Sequence, residues 1–120
     1  MKLIFAFLLF LSLLSNNVHA LANVDLQEDG RQLANYQACA AVAKRINDLA
    51  LQHYYEEMFE DSASDIRYYP LNESEVVYRT FFKSVKLLKK VAPASMEAIC
   101  LSRFDALSRK MQEKKLYSLD

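Results

Sequence analysis

Residues that break helices and form tight turns are nearly absent from this chain, which has one glycine and two prolines among 120 residues. Hairpin-rich β folds and collagen-like repeats need glycine or proline at fixed positions, so both are excluded. A hydrophobic share of 52% is too high for a disordered polyelectrolyte. The length allows one domain. The chain is therefore expected to fold as a single, mostly helical domain.

The N-terminus has the order of a secretory signal peptide. Lys2 supplies the positive start, residues 3–14 form a short apolar run, and residues 15–17 are polar. The apolar run is shorter than the roughly 18 residues that a membrane-spanning helix needs. We therefore expect a cleaved export signal, with an uncleaved N-terminal anchor as the alternative.

Small residues near position 20 mark where the signal would be cut. Cleavage after Ala20 or after Ala22 fits the small-residue pattern of signal cleavage sites. The sequence thus predicts a cleavable signal peptide over residues 1–20 and a single helical domain over residues 21–120. The mature protein is expected to be secreted or periplasmic.

Acidic and basic side chains are separated along the predicted mature chain. The whole sequence carries 15 of each sign, which excludes a uniformly basic nucleic-acid-binding protein. Residues 21–75 hold eleven acidic and four basic side chains, a net charge of −7. Residues 76–120 hold four acidic and ten basic ones, a net charge of +6. The protein is therefore expected to be electrically polarised, and no nucleic-acid partner is expected for an exported chain.

Apolar residues recur at steps of three and four in three segments, which predicts three amphipathic helices over about 30–61, 73–91 and 96–117. Asn72 and Glu75 have the spacing of a capping box at the start of the second helix. The predicted buried stripes are Tyr36, Cys39, Ala43, Ile46, Ala50 and Tyr54, then Val77, Phe81, Val85 and Leu88, then Met96, Cys100, Phe104, Leu107 and Met111. Three such helices with short connections pack by default as an antiparallel bundle. Residues 21–28 are expected to form an arm or a short fourth helix at the N-terminus.

The two cysteines, Cys39 and Cys100, fall on the apolar stripes of the first and third helices. In an up-down-up bundle these helices run parallel, which places both cysteines near the same end. One pair of core-facing cysteines in an exported protein predicts a disulfide, with two buried free thiols as the alternative. Closing a loop of this size stabilises the fold by roughly 4 kcal/mol in the chain-entropy model.

Signs of an active site are sparse. His53 is the only histidine of the predicted mature chain, and no nucleophile motif surrounds it. A single glycine cannot build a phosphate-binding loop, and one histidine cannot complete a zinc site when both cysteines are paired. No metal or cofactor is predicted. An enzyme that uses His53 with nearby carboxylates is an alternative, and the acidic cluster also leaves open two-carboxylate chemistry or a weak Ca²⁺ site. That cluster consists of Glu56, Glu57, Glu60, Asp61 and Asp65.

Basic residues line one side of the predicted second helix, opposite its buried stripe. Arg79, Lys83, Lys86 and Lys90 are spaced by four, three and four residues, and Lys89 flanks them. Such a face can meet the phosphates of lipid headgroups or an acidic protein surface. The alternative is a solvated helix face that balances the acidic first helix.

Tyrosines cluster at the end of the first helix and in the connection that follows it. Tyr54, Tyr55, Arg67, Tyr68 and Tyr69 form a candidate protein-contact patch, because tyrosine and arginine are enriched at binding hot spots. The alternative is ordinary packing of the connection against the helix.

The general plan resembles small exported helical proteins with one disulfide, including bacterial periplasmic inhibitor or immunity proteins and small secreted effectors. This resemblance is one of architecture and carries over no functional residues. The sequence predicts an exported, non-catalytic binding protein of effector, inhibitor or adaptor type that contacts a protein partner. Binding of anionic membrane lipids through the basic helix face is the alternative. The sequence sets no oligomeric state.

Overall fold

The computed structural model of this chain describes the main chain of residues 2–118 and the side chains of residues 23–118. Over that part the protein is all-α, with no strand, which confirms the predicted fold class. The helices are α1 (Lys2–Arg45), α2 (Leu49–Ile66), α3 (Leu71–Leu88), α4 (Pro93–Ser102) and α5 (Ala106–Ser118). The predicted signal peptide, residues 1–20, lies outside the described side chains. Among the described residues, no helix combines the length and the apolar character needed to cross a membrane.

α1 is the central helix of the bundle, because α2, α3 and α4 all pack against it while α5 packs on α2. α2 runs antiparallel to α1. The rings of Tyr36 and Tyr55 lie 6.4 Å apart near the middle of the two helices, and Leu33 shares a core cluster with Ile66 at the far end of α2.

Gly30 marks the closest approach of α1 to α3. A Cβ atom at this position would lie 2.5 Å from the carbonyl oxygen of Val77 and 2.8 Å from the Cβ of Thr80. Glycine leaves this space free, so the two backbones come together. Farther along both helices, Ala41 and Leu88 line one cavity. α3 therefore runs parallel to α1, whereas the up-down-up bundle of three predicted helices had the second helix antiparallel to the first; the direction changes because α2, the second half of the predicted first helix, already turns back along α1.

The predicted first helix, about 30–61, is two helices, since the chain turns at Asn47. Asn47 has a φ of 60°, in the left-handed region that asparagine tolerates better than most residues. The N–H groups of Asn47 and Asp48 donate to the carbonyls of Lys44 and Ala43 at 3.3 and 3.0 Å, which is the hydrogen-bond pattern of a Schellman C-cap. Asp48 then caps α2 by accepting from the N–H of Leu51 at 3.2 Å.

The predicted third helix, about 96–117, is also divided, into α4 and α5. Asp105 starts α5, because its side chain accepts a hydrogen bond from the N–H of Ser108 at 2.7 Å. Phe104, between the two helices, is buried in the core. This turn redirects the chain so that α5 packs on α2 rather than continuing along α1.

The predicted second helix, about 73–91, corresponds to α3 but is shifted toward the N-terminus. Pro70 occupies the position before the first turn, and no side chain caps the helix. Asn72 lies inside that turn with its side chain exposed, so the predicted Asn72 cap is wrong. Leu71 and Asn72 are exposed at this end of the helix, so solvent can accept hydrogen bonds from the N–H groups that a side-chain cap would otherwise satisfy.

The core consists of two clusters along α1, with Leu88 packed against both. The larger one contains Cys39, Val42, Ala43, Ala50, Leu51, Tyr55, Met96, Cys100 and Phe104. The smaller one contains Leu33, Ala34, Ile66, Val77 and Phe81. α1 therefore buries one side against α2 and α4 and another against α3.

The predicted disulfide between Cys39 and Cys100 is confirmed, with the two Cα atoms 5.4 Å apart. The expected parallel arrangement of the two helices is wrong, however. α4 runs antiparallel to α1, since Met96 shares a cavity wall with Val42 whereas Arg103 lies beside Tyr36. The bridge forms because both cysteines face the same core cluster, whichever way the helices run.

Candidate functional site

The outer side of α3 and the turn that follows it carry the five basic residues singled out in the sequence. We call Arg79, Lys83, Lys86, Lys89 and Lys90 the α3 basic surface, and all five side chains are exposed. Among the described side chains the ion pairs are Arg31–Glu28, Arg109–Asp48 and Lys115–Glu57. Every member of the α3 basic surface lies outside these pairs. The surface therefore presents a concentration of positive charge that no described acidic side chain neutralises by direct contact.

Packing of the opposite side of α3 holds this surface in place. Val77 is 0% exposed and Phe81 is 8% exposed, and both belong to the smaller core cluster. Successive helical positions are about 100° apart, so residues two positions beyond these two point away from the core. Arg79 and Lys83 lie two positions after Val77 and Phe81, so their side chains point away from the core and into solvent.

Apolar side chains lie next to the α3 basic surface, and the sequence reasoning missed them. Phe82 is 62% exposed, and Tyr78 and Leu87 are also exposed. The Phe82 ring lies 5.2 Å from the ring of Phe81, so its inner edge rests on the core. The signal in the sequence was the i, i+4 pair of aromatic residues directly before Arg79 and Lys83. The outer side of α3 is therefore both cationic and partly apolar.

A cavity of about 560 Å³ opens between α1, the end of α3 and the start of α4. We call it the α1–α3 groove. Its lining residues are Ala34, Gln37, Ala38, Ala41, Val42, Arg45, Val85, Leu88, Lys89, Val91, Pro93 and Met96. Lys89 belongs to both the groove and the α3 basic surface, so the two features are continuous.

The five residues of the proposed protein-contact patch do not form one patch. Tyr55 is 1% exposed and belongs to the larger core cluster, so a surface contact through it is excluded and this part of the prediction is wrong. Tyr54 is half-buried and packs its ring 4.9 Å from that of Phe104. The other three residues lie beyond the end of α2, roughly 20 Å farther along the helix axis at 1.5 Å per residue.

The three patch residues near the end of α2 differ among themselves. Arg67 is exposed, and Tyr68 is 87% exposed. Tyr69 instead ties the α2–α3 connection to α1, since its hydroxyl donates to the carboxylate of Asp29 at 2.9 Å. That hydrogen bond, with burial adding to it, raises the pKa of Tyr69. Only Arg67 and Tyr68 remain as open surface.

His53 takes part in a polar contact between α2 and α5. Its Nδ1 lies 2.9 Å from Oε1 of the buried Gln112, whose amide nitrogen donates to Glu57 at 2.7 Å. The ammonium group of Lys115 donates a further hydrogen bond to the Glu57 carboxylate at 3.0 Å. The hydrogen bonds from Gln112 and Lys115 lower the pKa of Glu57. This geometry holds α5 on α2, and it gives His53 and Glu57 a structural role.

The rest of the acidic cluster stays on the surface of α2. Glu56, Glu60, Asp61 and Asp65 are exposed. Within residues 23–118, no group of three or more histidine, cysteine, aspartate or glutamate side chains is placed to hold a metal ion. The exposed acidic side chains therefore add negative charge to the side of the bundle that α2 forms.

Comparison with known proteins gives no assignment: no protein-family model, no curated protein and no solved structure matches the chain. The candidate site is therefore identified only from the exposure, charge and contacts of its own side chains. Of the two surfaces predicted from the sequence, the structure keeps the α3 basic surface together and divides the tyrosine patch.

Proposed function

We propose that this protein is exported and binds anionic membrane surfaces through the α3 basic surface. The observation that carries the proposal is five exposed cationic side chains, three on α3 and two in the turn directly after it, all outside the described ion pairs. A basic residue near an anionic bilayer contributes about 1 kcal/mol, so five contribute up to about 5 kcal/mol when all reach the surface. That attraction is enough for reversible binding without insertion of a helix.

The apolar side chains beside the charges support a lipid partner in particular. Phe82 and Tyr78 point outward next to Arg79 and Lys83. Aromatic rings settle at the headgroup level of a bilayer, where one edge is apolar and the other is wet. Long lysine side chains extend past such rings to reach the phosphates.

The charge separation of the fold would orient the protein on a membrane. The exposed acidic side chains of α2, among them Glu60 and Asp61, are repelled by an anionic bilayer, whereas α3 is attracted. Both effects turn α3 toward the lipid. The same separation explains how a chain with 15 charges of each sign can bind a charged surface.

Export is supported by two independent features. The N-terminal residues have the order of a signal peptide. The Cys39–Cys100 disulfide joins two buried cysteines, and disulfides persist in oxidising compartments such as the periplasm and the extracellular space. We therefore propose that the protein lies outside the cytoplasm and acts there by binding rather than by catalysis.

Co-sedimentation with lipid vesicles tests the proposal. Protein recovered from the export compartment is mixed with vesicles of phosphatidylcholine alone or of phosphatidylcholine with phosphatidylglycerol, at low and raised salt. We expect binding to the anionic vesicles only, weakened by salt because the charges are exposed. Absence of binding at low salt would contradict the proposal, and capture of a protein partner through Tyr68 and Arg67 would replace it.

A matched pair of variants separates the α3 basic surface from charge in general. Lys83→Gln with Lys86→Gln removes two members of the surface and is expected to weaken binding roughly 30-fold. Lys110→Gln with Lys114→Gln removes the same charge from exposed positions of α5 and should change binding little. Equal loss in both double variants would show that net charge, not α3, is responsible.

A tryptophan probe shows whether the apolar residues touch lipid. Because the chain has no tryptophan, Phe82→Trp gives a single fluorophore next to the basic side chains. Its emission should shift to shorter wavelength with anionic vesicles. Tyr117→Trp, at a position 76% exposed on α5, is the control and should not shift.

A further inference from the structure

We infer that the α1–α3 groove binds a single-chain anionic amphiphile of the fatty-acid type, with the acyl chain in the groove and the carboxylate at Arg45 and Lys89. Nothing in the proposed membrane binding requires this site. Its volume of about 560 Å³ lies within the range of about 300–1,000 Å³ typical of small-molecule sites.

The walls of the groove are mostly apolar, which suits a hydrocarbon chain. α1 contributes small side chains at Ala34, Ala38 and Ala41, which form a shallow channel along the helix. Val85 and Leu88 of α3 face them across the channel. Gln37 is the one uncharged polar side chain of this mostly apolar lining, and a hydrocarbon chain gains affinity with each CH₂ group that it buries there.

Both cations of the groove lie at the same end of it. Arg45 is the last residue of α1, and Lys89 follows the last residue of α3. α1 and α3 run parallel, so these two ends of the helices are neighbours. Both side chains are exposed, and neither takes part in the ion pairs of the described side chains.

The arrangement of charge selects the ligand class. An apolar channel with two cations at one end complements a molecule with an apolar tail and one anionic head. The planar guanidinium of Arg45 can donate two parallel hydrogen bonds to a carboxylate, and the Lys89 ammonium adds a third donor. A neutral alcohol or a cationic amphiphile of the same length would leave these donors without an acceptor charge.

Titration calorimetry with dodecanoate below its micelle concentration tests the site. We expect one dodecanoate per chain, with at least tenfold weaker binding of 1-dodecanol and of dodecyltrimethylammonium. Arg45→Gln and Lys89→Gln should each weaken dodecanoate binding about tenfold, as loss of a charged hydrogen bond does. No heat of binding with dodecanoate, or equal binding of all three amphiphiles, would overturn the inference.

A groove-filling variant and its control locate the binding. Ala41→Leu places three extra carbon atoms in the groove from an exposed position of α1 and is expected to abolish dodecanoate binding. Ala98→Leu makes the same change at an exposed position of α4 outside the groove and should leave binding intact. Thermal unfolding of both variants checks that each is folded. Unchanged binding by folded Ala41→Leu would overturn the site.

The two proposals fail separately. Lys83→Gln with Lys86→Gln should bind vesicles roughly 30-fold more weakly and keep dodecanoate binding, because neither residue lines the groove. Ala41→Leu should lose dodecanoate binding and keep vesicle binding. Loss of dodecanoate binding in the Lys83 and Lys86 double variant would show that the ligand sits on the α3 basic surface and not in the groove.

Discussion

The hydroxyl of Tyr55 donates a 2.6 Å hydrogen bond to the main-chain carbonyl of Cys100, directly beside the Cys39–Cys100 bridge. Cys100 lies in the last turn of α4, where helix carbonyls have no partner within the helix. Tyr55 thus supplies the missing donor. Burial raises the pKa of Tyr55 to about 12, which keeps the hydroxyl protonated at any physiological pH. This contact joins α2 directly to α4, in addition to the packing of each helix on α1.

Tyr55→Phe should lower the free energy of unfolding by about 1–3 kcal/mol, because the buried Cys100 carbonyl loses its donor while the ring remains. Urea unfolding followed by far-UV circular dichroism measures the change. Tyr54→Phe is the matched control, since Tyr54 is only half-buried, and it should stay within about 0.5 kcal/mol of the wild type. Equal stability of Tyr55→Phe and the wild type would show that the hydroxyl contributes nothing.

Removal of the disulfide should lower the free energy of unfolding by more than the loss of any single side-chain contact does. Cys39 and Cys100 are 61 residues apart, so Cys39→Ala with Cys100→Ala releases a loop whose closure is worth about 4 kcal/mol. Domains of this size have total stabilities of about 5–15 kcal/mol. We therefore expect a large drop in the urea midpoint, and a similar drop when the wild type is reduced. An unchanged midpoint after complete reduction would contradict this expectation.

Gly30→Ala tests the close approach of α1 and α3. The sign of the change in unfolding free energy distinguishes the effect of helix propensity from that of the close contact. Helix propensity alone predicts stabilisation by about 1 kcal/mol, since alanine is the better helix former. The structure predicts net destabilisation by about 1–3 kcal/mol, because the new Cβ would meet the Val77 carbonyl oxygen at 2.5 Å and neither backbone can give way cheaply. Chemical denaturation measures the change, and a stabilised variant would contradict so close an approach of the two helices.

Asn47 gives a second test of backbone geometry. Its φ of 60° suits glycine and strains alanine. Asn47→Ala should therefore destabilise the protein by about 1 kcal/mol, whereas Asn47→Gly should be close to neutral. Both variants remove the same side chain, so thermal unfolding of the pair isolates the conformational effect. Equal loss in both would indicate that the asparagine side chain, and not its φ, matters.

The break at Asn47 also shows why the first helix was predicted to be too long. The stripe from Tyr36 to Tyr54 continues across the turn at helical spacing, because a short Schellman turn leaves the apolar residues on both sides facing the same core. Asn47 and Asp48 are ordinary residues for a solvated helix face. Their pairing was the only local sign of a turn, and the continuing stripe concealed it.

Tyr55 was misplaced for a related reason. A single stripe per helix describes a helix that is covered on one side, whereas α2 is covered by α1 on one side and by α5 on another. Neighbouring residues on α2, such as Tyr54 and Tyr55, can then both pack inward. The number of helices that surround each one is a property of the tertiary arrangement, which no single helix encodes.

The α3 basic surface could be predicted because it depends only on α3 and the turn directly after it. Spacing of three and four residues fixes which side chains share a face, and the burial of Val77 and Phe81 sets which face is outside. The α1–α3 groove depends instead on how close α1 and α3 lie and where α4 begins. It therefore became visible only in the structure.

Arg109 and Asp48 form a two-pronged ion pair between α5 and the start of α2, with N–O distances of 3.1 and 2.8 Å. The guanidinium also lies 4.8 Å from the ring centre of Phe104. Hydrogen bonding to Arg109 is the main cause that lowers the pKa of Asp48, and partial desolvation opposes it. The Arg109 side chain is 38% exposed, so solvent screening keeps the contribution of the pair within about 1 kcal/mol.

This pair predicts a specific pH dependence of stability. Because the folded-state pKa of Asp48 is lowered, its stabilisation is complete above the unfolded value of about 3.9 and is lost as the pH falls through the folded value. Asp48→Asn keeps a capping oxygen for Leu51 but cannot ionise. The wild type should therefore be the more stable protein at neutral pH, and the difference should shrink toward zero below about pH 4. Urea unfolding of both proteins at a series of pH values checks this, and a difference that does not vary with pH would show that Asp48 acts only as a helix cap.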